Sequence, residues 1–265
     1  MAAEDGGGQA YFLPMDDGRF MPTPHAGGAW NVAEQHVAPA IGLLVHAVEA
    51  DHAARRADRL QVARLSCDIW GTMPIEPVGI DVAVLRPGRT IELVEARISH
   101  GGRPAIVLRA WLAQAYDSGG MAAVNFPSLP PPQAVPACDL SLLWPGGFIA
   151  SVEVRREGQW PGRARCWARS PLALLEGRQV SAAARFMGLA DIANGLAPLA
   201  SPQEAAFPNL DLTAHFLRSP VGEWIGFDTS VSAGPTGTGL THSILHDEGG
   251  AFGTLCQSLT IRPKD

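Results

Sequence analysis

The chain has 265 residues, of which 46% are hydrophobic and 17% charged, and its net charge is −6 at pH 7. This composition excludes a disordered chain, and the acidic balance argues against a general nucleic-acid binder, which needs a basic surface to release phosphate counterions. No apolar run approaches the roughly 20 residues of a spanning helix, and residues 1–10 lack the basic and apolar regions of a secretory signal. We therefore expect a cytoplasmic protein without membrane insertion.

The first half begins with a glycine-rich segment at residues 25–28, followed by an apolar stretch at residues 37–52. In that stretch Ile41, Leu44 and Val48 recur at helical spacing, which predicts one long, mostly buried helix. Four strand-like segments follow, separated by turn residues; they span residues 62–70, 79–88, 89–99 and 105–114. This order predicts a helix followed by an antiparallel meander.

A proline-rich segment then separates this half from the rest of the chain. Pro130, Pro131 and Pro132 can continue neither a helix nor a sheet ladder, so we predict an N-terminal unit at 1–125, a linker at 126–140 and a C-terminal unit at 141–265. The C-terminal unit repeats the pattern of the first, with a second apolar helix predicted at residues 173–196. Its strand-like segments span residues 148–157, 162–170, 210–219, 223–232, 239–247 and 253–262.

The two halves match when one is slid over the other. Gly42 falls on Gly188 (188 − 42 = 146), and Ile98 falls on Ile244 by the same shift. One insertion moves residues 65–70 onto residues 212–217, a shift of 147 (212 − 65). A near-constant shift across helix, turns and strands indicates duplication, although halves rich in alanine and glycine also match in places by chance.

A long helix followed by antiparallel strands is what a hotdog fold needs, because its sheet curls around one apolar helix. A single copy would leave a sheet edge and an apolar surface exposed, whereas two copies can pair their edges into one longer sheet. We therefore predict an α+β fold, a double hotdog with its ligand between the copies. An exposed sheet face carrying Trp144 or Trp160 could support further association into a homodimer.

Three segments carry a family resemblance: GLADIANGL on the second helix, NLDLTAHFLRSPVGEW after it, and CQSLTIRP on the last strand. With these, the chain resembles the double-hotdog acyl-CoA thioesterases, the family that includes bacterial acyl-CoA thioesterase II. The resemblance implies a fatty acyl-CoA substrate and a hydrolytic water held by a helix Asp, a hydroxyl residue and a Gln. These catalytic positions fall on Asp191, Asn209 and Gln257. Asn209 stands where the family has threonine, and its amide oxygen can also accept a hydrogen bond from water.

The residues themselves support parts of this assignment. The neighbours of Asp191 are mostly apolar or small, so burial should raise its pKa toward the range of a general base. Gln257 shares one strand face with Leu255 and Leu259 and needs a specific partner there. Both residues also admit simpler interpretations, Asp191 as a polar residue on the wet side of the helix and Gln257 as a solvent-facing edge residue.

The repeat predicts a single active site in the second half. By the shifts above, Asp191 matches Val45, Asn209 matches Val62 and Gln257 matches Trp111, so the first half has apolar side chains at all three positions. It would then supply scaffold, with Trp111 either a substrate-binding wall of the acyl pocket or ordinary core.

The sequence lacks the motifs of several other catalytic chemistries. The chain has no GxSxG elbow, no phosphate-binding GxxxxGK[ST] and no HExxH, and its four cysteines form no CxxC pair, so we expect no cofactor and no metal site. Histidines such as His36, His46 and His215 are interpreted as core or surface residues. Two alternatives remain: an acyl-CoA or acyl-chain binder without turnover, and an enoyl-thioester hydratase, whose catalytic His is missing from the helix motif.

Overall fold

The computed structural model describes residues 9–264, except for the side chains of Gln159 and Trp160. The helices are α1 (Val37–Arg55), α2 (Gly147–Ala150), α3 (Ala182–Ala190) and α4 (Ala193–Leu196). The longer strands are β3 (Gln61–Ile69), β4 (Gly79–Arg86), β5 (Ile91–His100), β6 (Arg103–Ala113), β8 (Glu153–Trp160), β9 (Arg163–Arg169), β12 (Asp211–Phe216), β13 (Ile225–Ala233), β14 (Thr238–Asp247) and β15 (Gly250–Thr260). The short strands are β1 (Ala10–Pro14), β2 (Phe20–Pro22), β7 (Ala137–Cys138), β10 (Ala173–Leu175), β11 (Ala205–Ala206) and β16 (Arg262–Pro263).

One antiparallel sheet of 11 strands runs through the molecule in the order β4-β5-β6-β3-β12-β15-β14-β13-β9-β8-β7. The N-terminal half contributes its first four strands, and the pair β3–β12 joins the halves. Residues 38–45 of helix α1 are all buried, as expected for a helical segment that is apolar on all sides. Within residues 9–264, none of the helices combines the length and the apolar character needed to cross a membrane.

The predicted strands are confirmed, but their connection differs from a simple meander. Strand β3 pairs with β6, not with β4, so only β4, β5 and β6 form a meander. The physical reason is the connection at residues 70–78, which is too long for a tight hairpin turn and lets β4 lie three strands away.

The predicted second helix at 173–196 is wrong in its first part and interrupted in its last. Residues 173–175 form β10, which pairs with β1, and Gly177 then turns the chain with a φ of 64°. Helix α3 begins only after Ser181, whose hydroxyl accepts a hydrogen bond from the Ala184 N–H, and it ends at Ala190. Residues 148–150, predicted to begin a strand, belong instead to α2.

The duplication has a direct geometric signature. Where β3 meets β12, Ser66 pairs with Thr213, its own counterpart by the shift of 147. The helices meet in the same way, because a Cβ on Gly42 would lie 2.7 Å from the Cα of Gly188, its counterpart by the shift of 146. Equivalent residues contact each other where a two-fold relation carries one half onto the other.

The crossing of α1 and α3 depends on the absence of a side chain at Gly42. We expect Gly42→Ala to lower the free energy of unfolding by about 1–3 kcal/mol, because the added methyl group would meet backbone atoms of Ala184 and Gly188 that cannot move aside. Chemical denaturation measures the change, with Gly79→Ala as the control, since a Cβ there meets nothing within 4 Å. A Gly42→Ala protein as stable as the parent would contradict the close crossing.

Candidate active site

A cavity of about 140 Å³ lies between the two halves. The N-terminal half contributes residues 28–31, 34–37, Ile69, Gly71 and Thr72 to its wall. The C-terminal half contributes, among others, Trp144, Asp191, Asn194 and Asn209. Both halves therefore form the walls, as expected for a ligand bound between two copies.

The cavity contains a carboxylate held by two amides. Asp191 follows the last residue of α3 and is 7% exposed. Its Oδ1 accepts a hydrogen bond of 2.7 Å from Asn209 Nδ2 and one of 2.8 Å from Gln257 Nε2. The structure thus brings together the three residues to which the family resemblance assigns catalysis.

The two amides come from separate strands. Asn209 lies just before β12, where it bridges Leu259, and its Nδ2 also donates to the Asp211 carbonyl over 3.1 Å. Gln257 is fully buried on β15, so the interpretation of it as a solvent-facing residue is excluded. In this geometry both amides donate to Asp191 itself, and they therefore orient the carboxylate.

Burial dominates the electrostatics of Asp191. Desolvation raises its pKa from the usual 3.8 to about 7, although the hydrogen bonds from Asn209 and Gln257 favour the charged form and pull the pKa down. A carboxyl group with a pKa near 7 is well matched to accepting a proton at neutral pH.

His36, a titratable side chain of the N-terminal half, has its Nδ1 3.9 Å from Asp191 Oδ2. That nitrogen accepts a hydrogen bond of 3.2 Å from the Ala38 N–H at the start of α1, and burial lowers the pKa of His36 to about 3. We therefore treat the ring as neutral, so the 3.9 Å approach is not an ion pair. The sequence around His36 predicted no role for it in the site; its position just before the apolar helix was the available signal.

Of the two carboxylate oxygens, Oδ2 is the one available for chemistry. The described residues provide hydrogen-bond donors only to Oδ1. A carboxylate oxygen that faces a cavity, held in a fixed orientation and with a raised pKa, can remove a proton from water.

Trp111 does not join this site, and its predicted match to Gln257 is wrong. The shift between the halves stays at 147 from β3 to β6. Leu65 on β3 pairs with Ala110 on β6. Leu212, the counterpart of Leu65, falls opposite Gln257 when the register of β12 and β15 is continued by one residue. The counterpart of Gln257 is therefore Ala110, and that of Ile98 is Leu245. A shift of one residue exchanges the faces of a strand.

The outward position of Trp111 follows from this register. It is half-buried, and the Arg86 guanidinium lies 5.9 Å from the centre of its ring, whereas its neighbours Ala110 and Leu112 lie in the core. Trp111 is not among the residues that line the cavity, and Val45, Val62 and Ala110 leave the N-terminal half without polar groups at the equivalent positions.

Two tryptophans with no predicted role in the site, Trp30 and Trp144, form part of the cavity wall. The ring of Trp30 packs edge-on against Trp144, with centroids 4.8 Å apart, and against Phe207, with centroids 5.1 Å apart. Trp144 is buried and donates its indole N–H to the Gly195 carbonyl, so it lies on no exposed sheet face. The side chain of Trp160, the other candidate for such a face, lies outside the described residues.

Comparison with known families matches both halves of the chain. Residues 26–113 match an acyl-CoA thioesterase N-terminal domain, and residues 125–261 match an acyl-CoA thioesterase C-terminal domain. No curated protein matches the chain.

Several solved structures share the fold. A hot dog protein of unknown function from Alicyclobacillus acidocaldarius has a TM-score of 0.72 and 15% identity, covering 100% of both chains. A putative thioesterase from Novosphingobium aromaticivorans has a TM-score of 0.66 and 21% identity, covering 94% of this chain and 98% of its own. An acyl-CoA thioesterase II from Mycobacterium marinum has a TM-score of 0.63 and 18% identity, covering 86% of this chain and 90% of its own. These likenesses support the predicted double hotdog fold.

Proposed function

The chain belongs to the acyl-CoA thioesterase family and is a thioester hydrolase; from this premise we propose that it cleaves acyl-CoA by direct attack of a water molecule that Asp191 deprotonates. The observation that carries the proposal is the buried Asp191 carboxylate, oriented by Asn209 and Gln257 at the cavity between the halves.

The proposed reaction needs no covalent enzyme intermediate. Water gives a proton to Asp191 Oδ2 while its oxygen bonds to the thioester carbon, and the carbon–sulfur bond then breaks as that proton passes to the CoA sulfur. Asn209 and Gln257 hold Oδ1 so that Oδ2 keeps its direction toward the cavity. The Cys67 thiol is an unsuitable nucleophile, because burial and, to a lesser extent, the Asp191 charge raise its pKa well above the usual value.

The test is a turnover assay of the purified protein with a series of acyl-CoAs, following release of the free CoA thiol. Hydrolysis that depends on Asp191 supports the proposal. Tight binding of acyl-CoA without thiol release would instead identify a binding protein.

Hydration of an enoyl thioester is the second candidate, because the structure brings a histidine to the helix carboxylate after all. A hydratase on this fold would use the two side chains as a proton-transferring pair. Here His36 Nδ1 is occupied by the Ala38 N–H, so the nitrogen closest to Asp191 has no proton to give. Loss of the enoyl absorbance without thiol release, measured with a short enoyl-CoA, would favour the hydratase.

The positioning role of the amides gives a graded prediction. Gln257→Met keeps the length of the side chain but removes the donor, and we expect hydrolysis at pH 7 to fall by about tenfold, with a smaller fall for Asn209→Ala. Because each donor stabilises the charged carboxylate, its removal raises the pKa of Asp191. The rate should therefore reach half of its maximum at a higher pH than in the parent protein.

The matched control is Gln179→Met, on an exposed residue in the loop before α3. It should leave both the rate and the pH profile unchanged. A Gln257→Met variant whose rate falls equally at every pH would contradict positioning of the carboxylate, because a purely structural loss does not move the profile.

A further inference from the structure

A second, smaller cavity of about 50 Å³ lies next to the first. Apart from Asn194, every residue that lines it is apolar; they include Leu199, Ala200, Phe207, Val231 and Leu259. Asn194 lines both cavities, so this residue lies between them.

The partition at Asn194 is held by packing and by a hydrogen bond. Asn194 Nδ2 donates to the Phe207 carbonyl over 2.9 Å, and both residues are more than nine-tenths buried. The Phe207 ring is in turn packed against Trp30 and Trp144. Asn194 and Phe207, with the contacts that hold them, therefore form the partition between the two cavities.

The position of the second cavity matters for the acyl group. The CoA part of the substrate is polar and must remain near solvent at the open side of the first cavity, whereas an acyl chain gains free energy by leaving water. From the thioester beside Asp191, the small cavity behind Asn194 is an apolar continuation of the path.

We propose that the acyl chain points from Asp191 toward Asn194, and that the Asn194–Phe207 partition limits the substrate to short acyl groups. The inference rests on the proposed function. A cavity of about 150 Å³ in another protein holds a benzene ring, so the 140 Å³ cavity has room for an acyl group of about six carbons. Longer chains fit only when the partition is removed and the small cavity becomes part of the acyl pocket.

The experiment is a chain-length series of saturated acyl-CoAs from two to sixteen carbons, with kcat/KM measured for the parent protein and for Asn194→Ala. For the parent we expect the best substrate to have about six carbons or fewer, with a fall of about tenfold or more by twelve carbons, since each excluded methylene loses its burial. Asn194→Ala should raise kcat/KM for chains of eight to ten carbons about tenfold relative to kcat/KM for four carbons.

Two further variants test the path itself. In the Asn194→Ala background, Ala200→Leu refills the small cavity and should cancel the gain for longer chains. Phe207→Leu opens the partition from its other side while keeping the backbone carbonyl, and it should reproduce the shift even if Asn194→Ala does not fold. Asn125→Ala, on an exposed residue of the connection between the halves, is the matched asparagine control and should cause no shift.

The outcomes separate the inference from the function on which it rests. If no acyl-CoA is hydrolysed, the proposed function fails. If the parent prefers twelve to sixteen carbons, or if Asn194→Ala changes kcat/KM equally at every length, hydrolysis stands but the partition is not the determinant of length.

Discussion

Asp191→Asn should lower hydrolysis of the best acyl-CoA by roughly 100- to 10,000-fold, the usual contribution of a positioned general base. An asparagine keeps a carbonyl oxygen that can accept the hydrogen bonds from Asn209 and Gln257, so the local geometry is retained. The group that replaces Oδ2 is an amide nitrogen, which has no basicity toward water. Steady-state thiol release at saturating substrate measures the loss.

Substrate binding should survive this change, because the acyl chain and CoA contact other residues. We expect the affinity for a non-hydrolysable acyl-CoA analogue to stay within about tenfold of the parent, which corresponds to about 1.4 kcal/mol. A folded Asp191→Asn protein that keeps most of its turnover would make Asp191 a structural residue and end its assignment as the base.

The same substitution should stabilise the protein at alkaline pH. The pKa of Asp191 is about 7 in the folded protein and 3.8 in the unfolded chain, so folding favours the protonated form. The contribution of Asp191 to the free energy of unfolding is fully present below pH 3.8 and is lost as the pH rises through 7, because the charged carboxylate must then be buried. At 1.36 kcal/mol for each pKa unit, the loss amounts to about 4 kcal/mol, which Asp191→Asn avoids.

The measurement is chemical denaturation of both proteins at pH 4.5, 6 and 8. The difference in free energy of unfolding, variant minus parent, should grow by a few kcal/mol from the lowest to the highest pH, since other titrating groups are common to both proteins. Asp81→Asn, which changes an exposed carboxylate on β4, is the control and should show a nearly constant difference. A constant difference for Asp191→Asn as well would mean that burying the charged Asp191 carboxylate does not lower the free energy of unfolding.

Asp191→Asn is thus expected to lower turnover and to raise the stability of the protein at alkaline pH. Replacing a residue that stabilises the fold lowers the stability of the protein. Replacing a catalytic base that is held in an apolar environment removes activity and raises the stability of the protein. Finding both a large loss of turnover and a gain in stability at pH 8 would identify Asp191 as a residue retained for catalysis.

Much of the fold was accessible from the sequence, because strand and helix periodicity are local properties. The strands of both halves, the long buried helix α1 and the duplication were all predicted. The family motifs led to Asp191, Asn209 and Gln257, which the structure brings into contact, while their catalytic roles and the unit boundaries at 125/126 and 140/141 remain predictions.

Only the tertiary structure decided which face of each strand points inward and which distant residues form the site. Sliding one half over the other placed β5 and β6 one residue out of register, and that one residue separates the outward Trp111 from the inward Ala110 opposite Leu65. Strand pairing sets the register across the sheet, and composition does not record it. Trp30 and His36, from the segment before α1, and Trp144, from the other half, reach the cavity through packing that depends on the crossing of the two halves and not on any local pattern.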